Sequence, residues 1–246
     1  MSKYNKFYFL HIPKTGGRFF TKYITNQIED TLKQNGIEMI KPPENALKHG
    51  GWHKDIDDNT YIVSVFRDPA EFFISAISHM YAQQSGLIDD NNDFVIKDNS
   101  RILDIPIESV HQKLEQLQYL KDFQAHNFIL SPTQRPILQE AMGEHANGKT
   151  FDNELIYERI NRVNLMIRHS DLKFIDYSLL INKISSDLGI EINIDVSSAD
   201  RKHYKNNSSE VLFNKLSLQD IEKIYSHFPF DKSIYENDSL FWNNKI

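Results

Sequence analysis

Two short runs of aromatic and β-branched residues, each ended by a proline-containing turn and then followed by apolar residues at helical spacing, constrain this chain most. The first, Phe7-Tyr8-Phe9-Leu10-His11, ends at Pro13 and the Gly16-Gly17 pair. Phe19, Phe20, Tyr23, Ile24 and Ile28 then mark one helix face, with Gly36 as its stop. The second run, Tyr61 to Phe66, ends at Arg67-Asp68-Pro69, and Phe72, Phe73, Ile74, Ile77 and Tyr81 continue as a helix. Two strand–loop–helix units about one crossover apart predict an α/β fold with a central parallel β-sheet flanked by helices. Ligands of such sheets collect at the carboxyl ends of the strands, so both loops face one crevice.

The remaining pattern is mostly helical. From Glu108 to Leu130 the apolar residues Leu114, Leu117, Leu120 and Phe123 repeat every three, and further helical segments are expected over Ile137 to Ala146 and Glu154 to Val163. Leu165 to Ile167 reads as another strand, followed by an amphipathic helix that stops at Gly189. Ser217, three residues before Asp220, is a capping signature ahead of Ile221, Ile224, Tyr225 and Phe228. The Asp- and Asn-rich stretch from Ser85 to Ser100 lacks periodicity, so residues 85–105 are expected to form an exposed insertion in a single domain spanning 1–246.

Composition narrows the function. With 40% hydrophobic residues, 246 residues can close one sizeable core, and the net charge of −6 opposes binding of nucleic acid by bulk charge. Any phosphate must be held in a local pocket. The absence of cysteine excludes disulfides, thiolate metal ligands and thiol catalysis. Residues 7–11 are too short for a signal-peptide core, and no window approaches a membrane span, so a cytoplasmic chain without membrane partners is expected.

The segment His11-Ile12-Pro13-Lys14-Thr15-Gly16-Gly17-Arg18 lies between strand and helix, where consecutive N–H groups and the helix dipole can meet an anion. Its lysine precedes the glycines, and the Walker spacing G-x-x-x-x-G-K-[ST] is absent, which disfavours kinases and ordinary NTPases. Arg67 leaves a strand, and Ser75 follows eight residues later, two helical turns on. Such a pair can converge on one phosphate through charge-assisted hydrogen bonds. Lys48-His49-Gly50-Gly51-Trp52-His53 supplies two histidines whose ordinary pKa of about 6.5 suits a general base. Gly50-Gly51 between them disfavours a metal-binding helix face.

His-Ile-Pro-Lys-Thr-Gly-Gly resembles the 5′-phosphosulfate loop of sulfotransferases that use 3′-phosphoadenosine-5′-phosphosulfate (PAPS), particularly the carbohydrate branch. Val65-Phe66-Arg67-Asp68-Pro69 with Ser75 resembles that family's 3′-phosphate site. Arg201-Lys202-His203-Tyr204-Lys205 is similar to the basic loop of uronyl 2-O-sulfotransferases. The resemblance implies a P-loop-NTPase-like sulfotransferase fold with a helical middle segment. It further implies PAPS as sulfuryl donor, PAP as product, no metal, and a small-molecule or glycan acceptor. Lys14, Thr15, Gly16, Gly17 and Arg18 would hold the 5′-phosphosulfate. Arg67 and Ser75 would hold the 3′-phosphate, with Arg201 and Lys202 closing over the cofactor. Lys14 would also stabilise the leaving phosphate, and His49, or else His53, would be the base. Gly17 and Arg18 stand where family members often carry threonine or serine, and Phe72 where arginine is frequent. These departures keep open a non-catalytic module that binds PAP or another nucleotide.

Overall fold

The chain folds as an α/β protein around a sheet buried on both faces. A computed structural model describes residues 3–41, 51–84, 107–117, 121–129, 152–172, 176–194 and 208–243. Strands β1 (Lys6–Leu10), β2 (Glu38–Ile40), β3 (Thr60–Phe66) and β4 (Leu165–Arg168) pair in the order β2-β1-β3-β4. All three pairings are parallel, with Lys6 opposite both Glu38 and Thr60, and Val63 opposite Leu165. Every residue of β3 is buried, as helices on both faces require. Its Ser64 hydroxyl donates to the Leu10 carbonyl at 3.0 Å, so this polar group is buried with a partner.

Alternation along the strands assigns the faces. Phe7, Tyr61, Val63, Val65, Leu165 and Ile167 point to one side. There they meet a helical run composed of α1 (Gly17–Phe20), a π-helical turn (Thr21–Thr25) and α2 (Asn26–Gln34). Tyr8, Leu10, Ile62, Phe66 and Met166 point to the other side, where Trp52, Phe128, Ile156 and Phe241 cover them. Helix α3 (Pro69–Gln84) carries Phe73, Ile74 and Ile77 into a separate apolar cluster. That cluster is completed by α4 (Ile107–Gln116) and by Leu212, Ile224 and Phe228 near the C-terminus.

Several helix ends fall where glycine and serine predict them. Gly36 adopts φ 73°, and Ile37 N–H donates to the Leu32 carbonyl at 2.9 Å while Gly36 N–H donates to Lys33, a Schellman closure. Gly189, φ 64°, ends the helix Tyr177–Leu188 in the same way. Ser217 and Asp220 form the expected reciprocal capping box.

Other expectations need correction. The short edge strand β2 was not anticipated, because only Ile40 of its three residues is buried and no alternation can show. The continuous periodicity over 108–130 is not one helix. Helix α4 stops at Gln116, and a short helix α5 (Phe123–His126) starts after Asp122, whose left-handed φ of 48° cannot continue a helix. The expected insertion at 85–105 and the helix at 137–146 lie outside the described residues. Among the described residues, no helix is long and apolar enough to cross a membrane.

Candidate functional site

The strand order sets where a crevice is expected. From β1 the chain passes to β2 on one side and then to β3 on the other, so the loops after β1 and β3 diverge at a topological switch point. The loop after β1 is tightly wound. Lys14 takes a left-handed φ of 63°, a conformation costing a non-glycine residue roughly 1–2 kcal/mol. The carbonyl of Lys14 accepts a hydrogen bond from Arg67 Nη1 at 3.1 Å, joining the two loops. Thr15 is fully buried, and its hydroxyl donates to the Ile12 carbonyl at 2.8 Å. Phe19 and Phe20 N–H groups donate to the Gly16 carbonyl, at 3.0 and 3.2 Å, and begin the helical run.

Each glycine of the pair is pressed by a histidine. A Cβ at Gly17 would lie 1.8 Å from His11 Cδ2, and one at Gly16, φ 90°, would lie 3.0 Å from His169 Cδ2. His11 stacks on Phe9 with ring centres 5.6 Å apart. His169 opens the short helix that follows β4, and its Nδ1 lies 3.8 Å from Glu71 Oε2.

Arg67 links these parts. Its Nε donates to Glu71 Oε2 at 3.2 Å, one helical turn along α3, and its side chain is 11% exposed. Burial pulls its pKa below the ordinary arginine value, while Glu71 opposes this by charge and hydrogen bond. The guanidinium stays charged and carries five N–H donors, more than these two bonds use. Asp68 caps α3, its Oδ1 accepting from Ala70 N–H at 2.9 Å and Glu71 N–H at 3.0 Å, with Pro69 as the first helical residue. Tyr225 donates to Asp68 Oδ2 at 2.6 Å. Burial raises the Asp68 carboxyl despite these bonds. It also raises the Tyr235 phenol, with Asp68 and Glu71 charges acting in the same direction.

The structure therefore joins the Lys14–Gly17 loop to Arg67. Ser75 lies half-buried further along α3. His53 belongs to a different neighbourhood: it is buried, its ring lies 6.1 Å from Tyr8, and its Nδ1 accepts from Asp55 N–H at 3.2 Å ahead of β3. Phe72 is buried and stacked on Phe123 at 5.7 Å, so the position expected to carry arginine is part of the apolar packing. Trp52 is buried beneath Arg159, whose guanidinium lies 4.9 Å from the ring centre. His49, Arg201, Lys202 and the Arg18 side chain lie outside the described residues.

Sequence reasoning did not single out Glu71, Gln124, His169 or Tyr235. Glu71 carried a readable signal, since it stands one helical turn after Arg67. The other three approach the two loops only through tertiary packing. Among the described residues, no group of three or more histidine or carboxylate side chains is arranged to hold a metal. Comparison with protein-family models, curated proteins and solved structures returned no match.

Proposed function

We propose that this chain is a PAPS-dependent sulfotransferase acting on an acceptor hydroxyl, with a saccharide as the favoured acceptor class, on a P-loop-NTPase-like sulfotransferase fold. The observation that carries the reading is the 3.1 Å bond from Arg67 Nη1 to the Lys14 carbonyl. It joins two loops, each read separately in the sequence as suited to an anion, at the switch point of a parallel sheet.

The residues present suit a nucleotide with two separate anionic groups. Lys14 brings a cation to a loop that begins a helical run, and Arg67 brings a buried guanidinium with donors beyond those given to Glu71 and Lys14. When bound, PAPS supplies a sulfuryl group already attached to a good leaving phosphate. Lys14 meets the charge that develops on that phosphate, Arg67 and Ser75 hold the 3′-phosphate, and His49 takes the acceptor proton. The contacts that hold His53 beside Tyr8 and Asp55 favour His49 for that role.

A second reading, a non-catalytic PAP-binding module, draws on the same loop. The Thr15 hydroxyl is engaged by Ile12, and His11 fills the space a side chain at Gly17 would need, so hydroxyls that would grip a 5′-phosphate are not offered there. Calorimetric titration with PAP, beside ATP and 5′-AMP in magnesium-free buffer, tests both readings. Selective PAP binding that falls at least about tenfold in Arg67→Ala is expected, as for loss of a charge-assisted contact. Equal binding of all three nucleotides, or of none, would overturn the proposal. PAP binding without transfer across an acceptor panel would favour the module.

A further inference from the structure

Arg67 is held in place by a side chain far along the chain. Its backbone N–H donates to Gln124 Oε1 and its carbonyl accepts from Gln124 Nε2, both at 2.9 Å. A primary amide sets an acceptor oxygen beside a donor NH2, which is what the C=O and N–H of a single residue can both meet. Gln124 is fully buried, so water cannot replace either bond once it is lost.

Gln124 is itself fixed by a pair of carboxylates. Asp231, fully buried in the helix Pro229–Tyr235, accepts from Ala125 N–H at 2.8 Å through Oδ1 and from Gln124 N–H at 3.2 Å through Oδ2. Asp122, in its left-handed conformation, accepts through Oδ1 from Phe230 N–H at 2.9 Å and Asp231 N–H at 3.0 Å. Each aspartate thus caps the start of the other's helix. Residues more than 100 positions apart in sequence form one lock, and the lock ends on the backbone of Arg67.

We infer that Gln124 is a positioning residue for Arg67, and that the reciprocal Asp122–Asp231 caps set the direction in which the Arg67 guanidinium leaves β3. The ligand in this inference rests on the nucleotide-phosphate reading; the geometry does not. The Arg67 side chain bonds the Lys14 carbonyl and the Glu71 carboxylate, so moving its backbone moves its donors relative to both partners.

Gln124→Met keeps the side-chain length and removes both bonds to Arg67, together with the side chain's hydrogen bond to Asp231. Two readouts are needed: the NMR signal of Arg67 Nε–H, assigned by its loss in Arg67→Lys, and the affinity for PAP by calorimetry. The substitution should shift the Nε–H signal and weaken PAP binding about tenfold. In an Arg67→Ala background it should change affinity by less than about twofold, because the two residues act as a unit. An unmoved Nε–H signal in the folded variant, or an equal loss of affinity in both backgrounds, would overturn the inference. If the wild-type protein binds no PAP, the phosphate reading falls, and the Nε–H comparison alone decides whether Gln124 positions Arg67. Asp231→Asn, which keeps one acceptor oxygen for the α5 N–H groups, carries the same comparison should Gln124→Met fail to fold.

Discussion

A methyl group added at Gly17 would collide with the His11 ring, 1.8 Å from its Cδ2, so Gly17→Ala should cost about 1–3 kcal/mol as an overpacked position. If the ring is the cause, His11→Ala combined with Gly17→Ala should be less destabilised than the sum of the single variants, as read by denaturant unfolding. Additive losses would point to the loop backbone instead. Lys14 separates stability from binding. Lys14→Gly relieves a left-handed conformation, so it should leave stability unchanged or raise it by up to ~1 kcal/mol while weakening PAP binding. At this scale the sequence showed that a tight loop follows β1 but not the packing around its residues. The glycine pair reads as room for a phosphate, whereas the residues pressing on it are His11 and His169. Histidine contacts across a fold leave no spacing signal.

Helix α3 is where sequence grammar and site coincide. Arg-Asp-Pro reads as a turn, and in the structure Asp68 caps the helix, Pro69 begins it, and Arg67 is left at the crevice. Asp68→Ala removes a cap worth about 1 kcal/mol and strips the Tyr225 hydroxyl of an acceptor worth about 1–3 kcal/mol. The expected loss is therefore about 2–4 kcal/mol, and Tyr225→Phe should add little once Asp68 is gone. A full additional loss in the double variant would refute the coupling. Helix stops at Gly36 and Gly189 and the capping box at Ser217 were legible because each is local chemistry. The break at Asp122 was not. Its apolar neighbours continue a helical rhythm, and only the demand of a distant helix for a cap turns the backbone there.

At the scale of the fold, three buried carboxyls among the described residues add a component to the response to pH. Burial raises Asp68, Asp122 and Asp231 above the ordinary aspartate value, and the Asp122 charge pushes Asp231 further in the same direction. In the unfolded chain these groups ionise near pH 4. Below that value both states hold the protons, and the stabilising contribution is complete. As pH rises through the higher folded values, the folded state retains protons that the unfolded state has released, and the contribution is lost. Stability should therefore fall as pH rises above about 4, by a component that Asp231→Asn removes. A parallel pH profile in that variant would show that Asp231 contributes no such component. The two strand–turn–helix units were legible because each is a local pattern. The lock behind them joins residues 122 and 231, and nothing in their local patterns announces it.

Among the described residues β4 is an outer strand, and the Trp242 N–H donates to its Met166 carbonyl at 2.8 Å, while Arg168 lies 4.3 Å from the centre of the Phe241 ring. The tail thus occupies hydrogen-bonding capacity that would otherwise face other molecules. Truncation before Phe241 should give concentration-dependent association in sedimentation analysis, whereas Asp238→Ala, which removes one Arg168 partner and spares the Trp242 backbone, should not. The C-terminal residues would then protect this chain from templating strand addition by its own copies.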